Sequence, residues 1–136
     1  MLGGLVELNR AVQNSSYLDW ANKIAQAAIH TLADSNMVIH DFCEPDNCRP
    51  DGTQFKGIFI RNLLLLHRVS PNDLYQKVIK SCADSIWNND RDQLNQLGVD
   101  WARLYMPVDA STQSSALDAL VAADAIDYPL PIPFGV

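Results

Sequence analysis

The chain has no surplus of positive charge, no long apolar run and few cysteines. Ten Lys and Arg stand against sixteen Asp and Glu, a formal net charge of −6. Nucleic acid needs a basic surface to replace its counterions, so that partner class is excluded, as is an anionic membrane surface. The leucine run Leu63–Leu66 is far too short to span a bilayer. Met1 to Glu7 lacks the basic start and the sustained apolar stretch of a signal peptide. With three cysteines the chain is no disulfide scaffold. Zinc is not called for either: Cys43 and Cys48 are one Cys-x4-Cys pair without a second, and His40 alone does not complete a site. No other metal or cofactor is implied.

What is present is an ordinary core composition, 48% hydrophobic over 136 residues, enough for one domain or a part of a larger one. The apolar period is helical nearly throughout. A first helix over Leu2 to Gln13 is already running at its start, without a cap. After the turn Asn14-Ser15-Ser16, Ser16 and Asp19 resemble a capping box. The second helix gathers Leu18, Ala21, Ala25, Ala28, Ile29 and Leu32 on one face. Met37 to Phe42 has no helical pattern and reads as extended.

The third helix is expected to begin near Thr53 or Gln54, with Asp51 and Gln54 as a capping pair. Its apolar residues from Ile58 to Leu66 surround the axis, which predicts burial on all sides. Ser70-Pro71 is a strong start signal for the fourth helix, with the stripe Leu74, Val78, Cys82 and Ile86. Asp92 to Ala102 is a weaker segment interrupted by Gly98. A last helix runs from Ser111 or Thr112 through Ala125, and residues 127–136 form an extended Pro-rich tail.

The mouth of the third helix is the most informative segment. An acidic loop, Glu44 to Thr53, runs into Gln54-Phe55-Lys56-Gly57. Polar groups at the start of an otherwise buried helix are costly unless a ligand or a polar network uses them. Lys56 sits where the helix dipole disfavours a cation, so it needs a carboxylate or a sugar hydroxyl. Asp51 is a cleft carboxylate or a helix cap, and Phe55 a stacking platform or a core ring. Gly57 allows close approach of a helix or ligand. Glu44 is a weaker cleft candidate, since loop carboxylates are usually just solvated. Trp101 and Tyr105, in an irregular stretch, suit carbohydrate stacking if exposed; Trp20 and Trp87 fall within helices and read as packing residues. Cys82 reads as a core residue. His30, His40 and His67 receive no role. Cys43 and Cys48 either close a small disulfide or stay free thiols, and Asn14 begins an N-glycosylation sequon.

Three stretches in order carry a family resemblance. Cys43-Glu44-Pro45 through Cys48, then Gln54-Phe55-Lys56-Gly57-Ile58-Phe59, resembles the late signature of glycoside hydrolase family 76, the α-1,6-mannanases and their fungal wall relatives. Leu2-Gly3-Gly4-Leu5-Val6-Glu7-Leu8 with Tyr17-Leu18-Asp19-Trp20-Ala21 resembles the helix pair before it, and Gln113 to Leu120 the family's last helix. The resemblance implies an all-α chain forming part of an (α/α)6 barrel of alternating inner and outer helices, with the first, third and last helices inside. Family members are considerably longer and carry a catalytic pair of adjacent aspartates in their first half. This chain has no such pair; Asp90 and Asp92 come closest.

The resemblance thus implies residues 1–136 as the C-terminal portion of one catalytic domain. Its partners would be the missing N-terminal half and a mannan or mannose-containing glycan. Substrate contacts would come from Asp51, Gln54, Phe55, Lys56 and Trp101, with no catalytic residue among them. The parent would act outside the cell or in a cell wall, as a retaining α-1,6-mannosidase or a transglycosidase of wall glycans. A non-catalytic helical module that binds glycan or a partner helix is the third alternative.

Overall fold

The computed structural model describes residues 1–48, 51–105 and 108–128. Five helices follow one another: α1 (Leu2–Val12), α2 (Ser16–Leu32), α3 (Phe55–Val69), α4 (Asp73–Ser85) and α5 (Ala110–Asp127). A 3-10 turn, Gly52–Gln54, leads into α3, and a π turn, Ile86–Asp90, ends α4. The described residues form no strand, only an isolated antiparallel bridge between Ala33 and Ile39 inside the stretch expected to be extended.

The helices make two layers. α3 lies between α1 and α5, and α2 and α4 pack behind them. Short links join α1 to α2 and α3 to α4, and longer ones carry α2 to α3 and α4 to α5. The starts of α3 and α5 lie together at one end, while α1 begins beside Asn62, partway along α3. The core fills the space between the layers with Val6, Ala25, Ile60, Leu63, Tyr75, Val78 and Cys82. The fully buried positions of α5 are small, Ala116, Ala119 and Ala122 among them, with Leu120 and Ile126 packed at the edge, so its buried face can come close to its neighbours. At Gly57 α3 and α5 come within backbone contact: a Cβ there would lie 2.5 Å from the Ser115 carbonyl oxygen. The Gly57 N–H donates to Ser115 Oγ at 3.0 Å across the same contact.

Several local expectations are corrected. α3 is not buried on all sides: Phe55 is 56% exposed, Ile58 37%, and Arg61 and Arg68 continue the stripe. Ser114, Leu117 and Val121 of α5 are exposed too. Ser70 does not cap α4, because its hydroxyl accepts from Asn22 Nδ2; Asn72 caps instead, accepting from Leu74 N–H. The box at Ser16 does not form, since Asn14 Oδ1 takes the Ser16 N–H. Asp109 caps α5, in a capping box with Thr112.

Asp92 to Ala102 holds no helix: the Asp92 carboxylate accepts from Leu94 and Gln96 N–H and folds the segment into a turn. Trp20 and Trp87 are 60% and 52% exposed rather than packed, each beneath a cation, Lys23 and Arg91. The helix continues to Asp127 where the tail was expected; residues 129–136 lie outside the described residues.

Candidate functional site

The turn before α3 sets the site. The Asp51 carboxylate accepts from Gly52 N–H at 3.1 Å and starts the 3-10 turn. It therefore does cap, but the capped element is this turn, and it does not pair with Gln54. Gln54 and Phe55 follow, both exposed. Two hollows flank them. One, about 470 Å³, lies towards α5 and is lined by Asp51, Gln54, Asp109, Ala110 and Ser111. The other, about 250 Å³, is apolar and lies towards α1, with Phe55, Phe59, Leu2 and Ile24 on its walls. Thr53 and Ser111 hydroxyls meet at 2.5 Å and tie the two helix starts together.

Lys56 turns the other way, into the protein. Its ammonium lies 2.5 Å from Glu44 Oε1, donates to the Val99 carbonyl at 2.7 Å and sits 4.3 Å from the Trp101 ring centre. The cation at the disfavoured end of the helix thus has a carboxylate, a carbonyl and an aromatic face. Glu44 is not a solvated loop carboxylate: its side chain is buried, and burial raises its pKa against the opposing pull of Lys56.

Trp101 is fully buried beneath Lys56, which corrects the expectation of an exposed stacking ring; no face is left for a sugar. Tyr105 donates its hydroxyl to Asp46 in the disulfide loop. Cys43 and Cys48 are joined by a disulfide there, and Cys82 is buried, its thiol pushed up to about 12 by desolvation.

The structure also assembles groups that the sequence did not single out. His40 Nδ1 lies 3.3 Å from Glu44 Oε2, and Nε2 lies 3.4 Å from Asp34 Oδ2. Asp100 stands 4.0 Å from the same ring and accepts from Arg103 Nε at 2.8 Å. His40, Glu44 and Asp100 have the donor types of a metal site. Lys56, however, already supplies a positive charge at Glu44, and no metal is assigned.

Asp90, at the end of the π turn, is fully buried. Both its oxygens accept the Gly98 N–H at 2.9 Å. Desolvation raises its pKa to about 7. Of the five residues expected at the site, Asp51 and Gln54 line one exposed hollow at the start of α3 and Phe55 lines the other, while Lys56 and Trp101 form the packing behind them.

The model of the family described as glycosyl hydrolase family 76 matches residues 1–129. The chain belongs to that family. Solved structures agree on the fold. A protein of Listeria innocua, Lin0763, superposes with a TM-score of 0.83 at 24% identity, over 95% of this chain and 36% of its own. An α-1,6-mannanase from Salegentibacter sp. HEL1_6 gives 0.75 at 23% identity, over 92% of this chain and 38% of its own.

An inactive variant of that mannanase, with two adjacent aspartates changed to asparagine and bound to α-1,6-mannotriose, gives 0.73 at 24% identity. It covers 90% of this chain and 37% of its own. No curated protein sequence matches the chain. The family 76 chain is therefore all-helical, part of an (α/α)6 barrel, and spans little more than a third of the length of these structures. No helix among the described residues is long and apolar enough to cross a membrane.

Proposed function

We propose that this chain is the C-terminal portion of a retaining glycoside hydrolase of fungal type acting on α-1,6-linked mannan, and that it supplies cleft wall rather than catalytic carboxylates. The observation that carries this is the mouth of α3. An aromatic ring, Phe55, stands half exposed in one hollow, and Gln54 and Asp51 line the neighbouring one, where α3 and α5 begin. A ring face with an amide and a carboxylate in the next hollow is chemistry that suits successive pyranose units: apolar contact at one, hydroxyl partners at the other. Lys56 supports this mouth from behind, through Glu44 and Val99.

Glycoside hydrolysis needs two carboxyl groups about the scissile bond. The matching mannanase is inactive when two adjacent aspartates are replaced, and this sequence holds no adjacent pair. The pair would come from the N-terminal half of the barrel, the partner of the open stripe of α3 and α5. A secreted or wall-bound parent is supported by the Cys43–Cys48 disulfide, which needs an oxidising compartment. The lack of an aspartate pair equally favours a second reading, a non-catalytic glycan-binding module.

Purified chain incubated with linear α-1,6-mannan should release no reducing ends. It should bind α-1,6-mannotriose weakly, and Phe55→Ala should weaken that binding by about tenfold. Turnover that tracks the protein through repurification would mean that the catalytic residues are misplaced. Binding unaffected by Phe55→Ala would remove the α3 mouth from the cleft.

A further inference from the structure

A second polar depression lies on the other layer. It has a volume of about 330 Å³ and runs between the 36–38 turn and the end of α4, lined by Asn36, Ser81, Asp84, Ser85, Asn88 and Asn89. The π turn builds one wall: its wider turn brings Asn88 and Asn89 round beside Asp84 and Ser85. Single π turns inside α-helices are found most often at functional sites.

The lining is chemically distinctive. Beside the buried Val38 it holds three amides, two hydroxyls and one carboxylate, with no cation and no aromatic ring. Ser85 Oγ donates to the Trp101 carbonyl at 2.8 Å and accepts from Asn89 Nδ2 at 3.0 Å, so the floor is anchored. Asn88 Nδ2 donates to the Asp84 carbonyl at 2.8 Å. The side chains of Asn36 and Ser81 and the Asp84 carboxylate make no hydrogen bond or ion pair with other described residues.

Each ligand class can be weighed against this set. Asp84 repels an anion. A single carboxylate among neutral oxygens offers a divalent cation little charge to offset its lost hydration. An apolar ligand would strand the amides. A neutral polyol satisfies them all, because every hydroxyl both donates and accepts, as every amide side chain does. The volume is at the small end of ligand sites and suits a single sugar ring.

α4 runs back along α3, so this depression opens at the same end as the α3 mouth, on the opposite side of the sheet of helices. Trp101 lies between the two: its carbonyl anchors Ser85, and its ring carries Lys56. We propose that this depression is a second carbohydrate contact, holding one neutral hexose unit outside the cleft. The proposal rests on the reading of the family 76 chain as a glycan-acting protein, and adds a subsite on its outer layer.

Proton–nitrogen NMR of the intact 136-residue chain tests it. Titration with α-1,6-mannotriose should shift the side-chain amide signals of Asn36, Asn88 and Asn89 in a saturable way. Asp84→Ala and Asn88→Ala, at exposed positions, should each weaken that site by about tenfold and leave the Gln54 signal's response unchanged. Gln54 moving while the three asparagines stay still would overturn the proposal and keep the α3 mouth as the glycan site. The asparagines moving without Gln54 would support it and count against the mouth. Equal shifts with glycerol at the same concentration would overturn it, since the groove would then not recognise a sugar. If either variant fails to fold, as judged by circular dichroism, the unmodified chain decides by the asparagine shifts alone.

Discussion

Replacing Gly57 by alanine tests the backbone contact between α3 and α5. In an exposed helix interior this change stabilises by up to about 1 kcal/mol, because alanine restricts the unfolded chain and glycine does not. Here the new methyl would lie 2.5 Å from Ser115 O, 2.6 Å from its Cα and 2.9 Å from its carbonyl carbon. Carbon contacts prefer about 3.5–4.0 Å. The obstacle is backbone in the middle of α5, so no side chain can swing aside. α3 and α5 must separate, at a cost of about 1–3 kcal/mol for overpacking.

Separation also threatens the buried bond from Gly57 N–H to Ser115 Oγ, whose loss costs about 1–3 kcal/mol. After the propensity gain, a net loss of about 1–5 kcal/mol is expected. Urea unfolding followed by far-ultraviolet circular dichroism measures it. Gly4→Ala is the control, since a Cβ there meets nothing within 4 Å, and it should hold or raise stability. Ser115→Ala should cost less than Gly57→Ala, because it removes the hydroxyl but adds no clash. Gly57→Ala matching or exceeding the parent chain in stability would refute the close-packing argument.

Asp90 governs a pH dependence. Its folded pKa, raised from 3.8 to about 7, means that the folded chain keeps a proton which the unfolded chain gives up. That contribution is present in full below pH 3.8 and is lost as pH rises to about 7. Asp90→Asn should therefore flatten the fall of stability across this window, by up to about 4 kcal/mol. Parallel stability–pH curves for the two proteins would contradict it. Lys56→Met strands the Glu44 carboxylate and should destabilise by about 3–5 kcal/mol; adding Glu44→Gln should restore part of that, and a double-mutant cycle without coupling would show the pair to be idle. The open stripe of Phe55, Ile58, Leu117 and Val121 should make the isolated chain bind a hydrophobic dye and associate, as ultracentrifugation would report. A monodisperse monomer with a high melting transition would argue that nothing further packs on that face.

Much of the fold was legible locally. The period of Leu18, Ala21, Ala25 and Ile29 placed α2, and that of Val78, Cys82 and Ile86 placed α4, because a helix repeats its buried face every three to four residues. The need of Lys56 for a carboxylate or a sugar hydroxyl also followed from its place in a helix's first turn, since the dipole acts on the residue wherever the helix sits, and the structure supplies the carboxylate of Glu44. The order of motifs was enough to indicate the family. The all-round apolar character of α3 misled on burial: composition reports what a helix tolerates on each side, and only its neighbours determine which side is covered.

The site itself depended on tertiary structure. Glu44 is twelve positions from Lys56 in the chain and Val99 much further, so no local pattern names them as partners. Trp101 looked like an exposed ring on a loop, and is buried because the loop folds beneath α3 and offers its face to the ammonium. Asp90 and Gly98 were an unremarkable carboxylate and a helix breaker until the π turn and the following loop brought them together. Periodicity and caps are short-range and can be read from one segment at a time. Ion pairs, buried carboxylates and open grooves are made between segments, and exist only once the layers have packed.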